Sequence, residues 1–200
     1  MLHTQTTRAL ALTLLLALPA TSEAGPPLIC HPFQTDSTQL LPWGDGPGWN
    51  DPNRRYDAQR LTADTLRLLS DDAPVLTRME NLRRATIYAA QDAKVADQLL
   101  AAVIARTQTA TPSAQAFFDA GYLIESFKQA VHMLQGPATP KTDGYALVTR
   151  AIALAGPNAE MEFAASLMTA GVTAKAHRSR AQAGAPAGSL LARNIANLAL

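Results

Sequence analysis

Cys30 and His31 are the only adjacent pair of soft ligands in the chain, so any thiol or metal chemistry would start there. A thiolate and an imidazole suit zinc or copper, but a closed structural site takes about four ligands and this pair supplies two. His132 and His177 are isolated in sequence, and His3 lies in the leader. No Cys-x-x-Cys, Cys-x-x-Cys-His or His-Glu-x-x-His spacing occurs. Cys30 is the single cysteine, which excludes an internal disulfide. Three readings remain for it: burial, pairing with another molecule, or ligand binding. Burial is the plainest, because free cysteine behaves as a small hydrophobe.

Trp43 and Trp49 are the two tryptophans, each flanked by Gly or Pro. They can form an aromatic platform for a ligand, or they can anchor the segment that carries them. Anchoring is favoured, since a large aromatic in a Pro-rich arm contributes most by burial. Arg83 and Arg84 follow Glu80 at i+3 and i+4, the spacing of ion pairs on a helix. Glu80 and Asp92 fall on different helices and can face each other as a carboxylate pair. Glu160 and Glu162 fall in a first helical turn, where the helix dipole favours acids. The serines sit in no Gly-x-Ser-x-Gly elbow, and neither a phosphate loop nor a dinucleotide fingerprint is present. No cofactor and no catalytic set is implied.

These residues need elements to hold them. Residues 25–56 contain Pro26, Pro27, Pro32, Pro42, Pro47 and Pro52 with Gly44, Gly46 and Gly48. That density stops helix propagation. The same stretch holds Leu28, Ile29, Phe33, Leu40, Leu41 and both tryptophans, which a plain linker would lack. It reads as an ordered arm lying over helices, with Phe33, Trp43 and Trp49 buried. Residues 57–200 read as a helical domain. Apolar residues at i, i+3 and i+4 predict helices over Asp57–Leu69, Pro74–Ala90, Asp92–Thr107, Ala114–Gln135, Tyr145–Ala155, Ala159–Ala170 and Ser189–Leu200. An Asp of Ser70-Asp71-Asp72 is expected to cap the second helix, and Thr111 or Ser113 the fourth. Gly121, inside the fourth, costs about 1 kcal/mol against Ala, so a close helix crossing is expected there. Residues 171–188 are rich in Ala and Gly and carry Lys175, His177, Arg178 and Arg180, which reads as a solvated basic loop. No period-2 alternation bounded by hairpin turns appears, so no sheet is expected.

The chain has 200 residues, 48% of them hydrophobic and 16% charged, enough for one globular core. A net charge of +1 argues against nucleic acid as the main partner. Residues 1–24 have the layout of a Sec-type signal peptide: Arg8, an apolar run over Ala9–Leu18, Pro19, and small residues at Ser22 and Ala24. The run is shorter than the ~20 residues a membrane span needs. Cleavage after Ala24 would make the product periplasmic or secreted, and no later stretch is long and apolar enough to span.

The stretch from Tyr145 through Ala151-Ile-Ala-Leu-Ala-Gly-Pro157-Asn158 to Glu160 resembles a tetratricopeptide repeat, where an Ala-rich helix runs through Pro-Asn into the next. Phe117, Ala120, Gly121 and Ile124 are similar to the first-helix spacing of such a repeat. One residue more than the usual spacing separates Ala151 from Pro157, and the fourth helix exceeds a repeat unit. The resemblance implies stacked helix hairpins that bind a peptide or protein on a concave face. Leu28-Ile-Cys-His-Pro-Phe33 and Leu41-Pro-Trp-Gly44 are also similar to uncharacterised exported bacterial proteins, which implies no activity. The combined expectation is all-α: antiparallel hairpins stacked as a small bundle or short solenoid, with the N-terminal arm packed on it. The expected function is an exported scaffold for a protein or peptide partner. The alternative is a small metal- or thiol-dependent protein using Cys30 and His31.

Overall fold

The structure, a computed structural model, describes residues 27–134 and 140–198, with the backbone only at 132–134. The expected signal peptide and its cut after Ala24 lie outside these residues, as do Gly25, Pro26 and the last two positions of the C-terminal helix. So does any side-chain role for His132. Eight α-helices and no strand are found among the described residues. No helix among them is long and apolar enough to cross a membrane.

After the arm and a 3-10 turn at Ala58–Arg60, α1 runs Leu61–Leu68 and α2 runs Val75–Ala89. Then come α3 (Ala93–Ala105), α4 (Ala114–Leu134), α5 (Gly144–Ala155) and α6 (Ala159–Met168). They end with α7 (Gly171–Ala183) and α8 (Leu190–Asn197). From α1 to α7 each helix packs against the next, the geometry of a helix bundle. One large apolar cluster runs through α1 to α8 and takes in Leu28, Phe33 and Leu41 of the arm. A smaller one joins Ile29 to Ile87 and Ala130, with Trp43 and Trp49 packed against it.

Helix ends follow local chemistry. Asp92 accepts hydrogen bonds from the N–H groups of Lys94 and Val95 and caps α3. Ser113 accepts from Ala116 at the start of α4, Asp143 from Ala146 in α5, and Asn158 from Met161 in α6. Gly156, at φ 76°, stops α5 in a conformation that favours glycine and turns the chain into Pro157. The expected Asp cap of α2 is not there. Pro74 occupies its N-cap without a side-chain bond. Glu160, far along the chain in α6, instead accepts from the backbone N–H groups of Val75 and Leu76.

A larger difference is α7. Residues 171–183 form a helix where a basic loop was expected. Lys, Arg, Gln and Ala all favour helix, so propensity is satisfied. The buried face, however, is His177 and Ala181 rather than Leu or Val, and the apolar stripe that marks a helix in sequence is missing.

α4 packs on α5 through Gly121 and Gly144. A Cβ placed on Gly121 would sit 2.4 Å from the Gly144 carbonyl oxygen and 2.9 Å from the Val148 nitrogen. One placed on Gly144 would sit 2.5 Å from the Gly121 oxygen. The two backbones therefore touch, and the helix-propensity cost of Gly121 is offset by that approach. Gly121→Ala should gain about 1 kcal/mol of propensity yet lose more to overpacking, typically 1–3 kcal/mol. Chemical denaturation should accordingly give a lower midpoint for the variant; an unchanged or higher midpoint would show that the crossing is loose.

Candidate functional site

Trp43, Trp49, Arg83 and Arg84 meet at α2, with Cys30 close to Arg83. That helix is buried along its length except at Arg84, and its polar residues are buried with the rest. Glu80 is 1% exposed and Arg83 is 0% exposed. Arg83 Nε and Nη2 donate to the two Glu80 oxygens at 2.8 and 2.9 Å, and Arg84 Nε donates to Oε1 at 2.7 Å. The i+3 and i+4 pairs predicted from spacing are thus both made.

The remaining bonds of this group run to the arm. Arg83 Nη1 donates to the carbonyls of Ile29 (3.2 Å) and Trp49 (2.9 Å), and Arg84 Nη1 to that of Leu41 (2.6 Å). Glu80 Oε2 accepts from the Phe33 amide at 3.0 Å. Asn81 takes the Leu41 amide on its oxygen and gives its Nδ2 to the Gln39 carbonyl. Asn194 of α8 does the same with both backbone groups of Gln34. Tyr88 donates to the Pro42 carbonyl and accepts from the Asn53 amide. An arm without secondary structure has no ladder for its buried N–H and C=O groups, and these side chains replace one.

Trp43 lies under both guanidiniums, with its ring centroid 5.0 Å from Arg83 and 5.4 Å from Arg84, and meets Tyr88 edge-on at 5.7 Å. Phe33 is buried as expected, against Phe163. Trp43 and Trp49 are only half-buried, because each lays one side on the arm–helix junction and keeps the other outward. Cys30 is also half-buried; burial pushes its thiol above the ordinary value, with Arg83 pulling the other way. Burial lowers His31, whose Nε2 has no hydrogen-bond partner. Among the described residues no group of three or more His, Cys, Asp and Glu side chains is placed to hold a metal ion. Glu80 and Asp92 do not pair: the first is held by the arginines, the second by the α3 amides.

A second group escaped the sequence reading because two of its members lie on α7. Glu162 Oε2 is 2.5 Å from His177 Nδ1, and His177 Nε2 is 2.7 Å from the Tyr145 hydroxyl. Arg180 Nε donates to Glu162 Oε1 at 2.9 Å. Arg180 Nη2 also lies 2.7 Å from His177 Nδ1. A nitrogen that gives its proton to a carboxylate cannot accept from a guanidinium, so the Nε contact is the bond and the Nη2 contact a close approach. In the tautomer that gives its Nδ1 proton to Glu162, the ring accepts from the Tyr145 hydroxyl at Nε2. Burial pushes the Glu162 carboxyl up, but hydrogen bonds from Arg180 and His177 outweigh it and hold the group below the ordinary range.

Carboxylate, imidazole and hydroxyl in this order can relay a proton. Here they tie α5, α6 and α7 together. The neighbouring 440 Å³ cleft is lined by Glu162 and Arg180 with Pro157, Ala159 and Ala183, and not by Tyr145 or His177. A second cleft of 350 Å³ shares the Pro157–Ala159 and Gly184 wall and continues to the start of α8. The signal for this region was the corner Gly156-Pro157-Asn158 rather than any titratable motif. Comparison with family models, with curated proteins and with solved structures finds no match to this chain.

Because the folded pKa of Glu162 is depressed, its ties stabilise the fold fully above the unfolded value near 4.3 and fade as pH falls through the lowered one. Glu162→Gln should therefore lose on the order of 2 kcal/mol at pH 7. The gap to the parent should narrow below pH 4; a gap independent of pH would contradict the ion pairing.

Proposed function

We propose that this chain is an exported helical scaffold that binds a protein or peptide partner and performs no catalysis of its own. The observation that carries the reading is the pair of adjoining clefts between the start of α6, the end of α7 and the start of α8. The two clefts share Pro157, Asn158, Ala159 and Gly184 in their lining, a trough whose larger end is mostly apolar toward Pro157, Ala159 and Ala183, which suits a peptide side chain. Leu154, 56% exposed, lies on the last turn of α5 just before the same corner. The polar groups that suggested chemistry support the reading from the other direction. Arg83, Arg84 and Glu80 use their bonding capacity on the arm, and Tyr145, His177 and Glu162 use theirs on each other. The tetratricopeptide-like hairpin at 145–160 and the leader at 1–24 belong to the same proposal: a hairpin stack delivered outside the cytoplasm.

A photo-crosslinking residue at Ala183, on the cleft, compared with one at Ala101, exposed on α3, tests it in the producing cell. Light should yield a protein adduct of defined mass from position 183 alone, recovered with the exported fraction. Adducts from both positions alike, or from neither, would sink the proposal.

A further inference from the structure

We infer that the partner segment is acidic, with a carboxylate received by Arg180 and an adjoining apolar side chain laid against Pro157, Ala159 and Ala183. This rests on the scaffold reading above and names the chemistry of its partner.

Charge at the cleft carries the inference. Two acids border the trough, and neither faces a ligand. Glu160 turns its carboxylate to the α2 amides of Val75 and Leu76. Glu162 is held between His177 and Arg180. The arginine of the lining lies the other way. Arg180 has a 52% exposed side chain and lines the larger cleft. Arg193, exposed on α8, is turned to the Gly188 carbonyl and the Gln34 side chain and lines neither cleft. With Glu160 and Glu162 held internally, the lining of the two clefts presents the Arg180 guanidinium, and the nearest other acid, exposed Asp36, lies beside Glu160 at the smaller cleft.

Arg180 is also set for the task. Its Nε is fixed on Glu162 and its Nη2 lies against His177, so the planar fork is oriented before anything binds. Nη1 stays available at the cleft. A guanidinium pre-oriented in this way loses less side-chain freedom when it takes a carboxylate, and such charge-assisted bonds are about twice as strong as neutral ones. The apolar wall next to it, in a cleft of 440 Å³, adds a seat for one aliphatic or aromatic side chain. A phosphate or a lipid surface would use the charge but not that wall.

The experiment presents a random heptapeptide display library to the purified, immobilised full chain. Enriched peptides should carry Asp or Glu beside Leu, Ile or Phe. Synthetic copies should bind about ten-fold more weakly to Arg180→Gln, a loss of about 1.4 kcal/mol. They should bind more weakly still to Ala183→Trp, which fills the cleft without changing charge. Arg67→Gln, on the exposed face of α1, should leave binding unchanged. Circular dichroism of each variant must match the parent. Enriched peptides that lack acids, acidic peptides indifferent to Arg180→Gln, or binding to phosphatidylglycerol vesicles in place of peptides would overturn the inference and leave the scaffold reading standing. Enrichment of nothing overturns the inference as well; only together with failure of the Ala183 crosslink would it remove both.

Discussion

A buried carboxylate must be answered by donors, and in this protein Glu80 sets that demand. It lies in the middle of α2 and is shielded from water, with Arg83 completely buried beside it. Two arginines satisfy the acid, but each arginine then brings further N–H groups that need acceptors. The arm supplies them as backbone carbonyls at Ile29, Leu41 and Trp49. Helix and arm therefore depend on each other. Without the arm, α2 would carry exposed apolar surface and unanswered charges; without α2, the arm would have no partners for its amides. A buried pair of this kind adds little net stability over apolar packing, yet loss of one member leaves the others uncompensated at a cost of several kcal/mol.

The same logic recurs at two other places with different hardware. Asp119 of α4 takes both Arg78 and Arg106 on one oxygen, at 2.7 and 2.6 Å, and these arginines close the loop carbonyls of Leu69, Ser70 and Ala73. Burial still pushes Asp119 up against their pull. At the other end of the molecule Glu162 gathers Arg180 and His177 and so fastens α7, which has almost no apolar side chain to bury. Between them, α4 and α5 meet at the contact of two glycines, with the Glu125 carboxylate of α4 accepting from the Gly144 amide at 2.9 Å. Apolar burial drives the bundle together. The charged nodes decide which segment lies on which.

Function follows from what those nodes leave over. Glu80, Arg83 and Arg84, the charged residues whose spacing stands out in the sequence, are ones the fold uses internally. Arg180 is the exception: it is paired on one edge and open on the other, at a trough with an apolar wall. That placement is why the proposed role is recognition.

The sequence by itself determined the helical class, seven of the eight helices, a close crossing at Gly121, a cap for α4 at Thr111 or Ser113, and the i+3 and i+4 pairs of Glu80. Apart from the crossing, which a glycine costly to its own helix announces without naming its partner, these depend on residues within about two turns of one another, where spacing along the chain is spacing in space. It also marked the arm as ordered, because Phe33 and the tryptophans had to be covered somewhere. Only the tertiary structure decided that Glu160 caps α2, that Asn194 clamps Gln34 across 160 positions of chain, and that His177 meets Glu162 and Tyr145. It also turned 171–188 from an expected loop into a helix ending in a turn. A helix whose inner face is Ala and His shows no apolar period, and a polar side chain does not announce a partner on a distant helix. Such pairs are set by the path of the backbone, which local spacing does not encode.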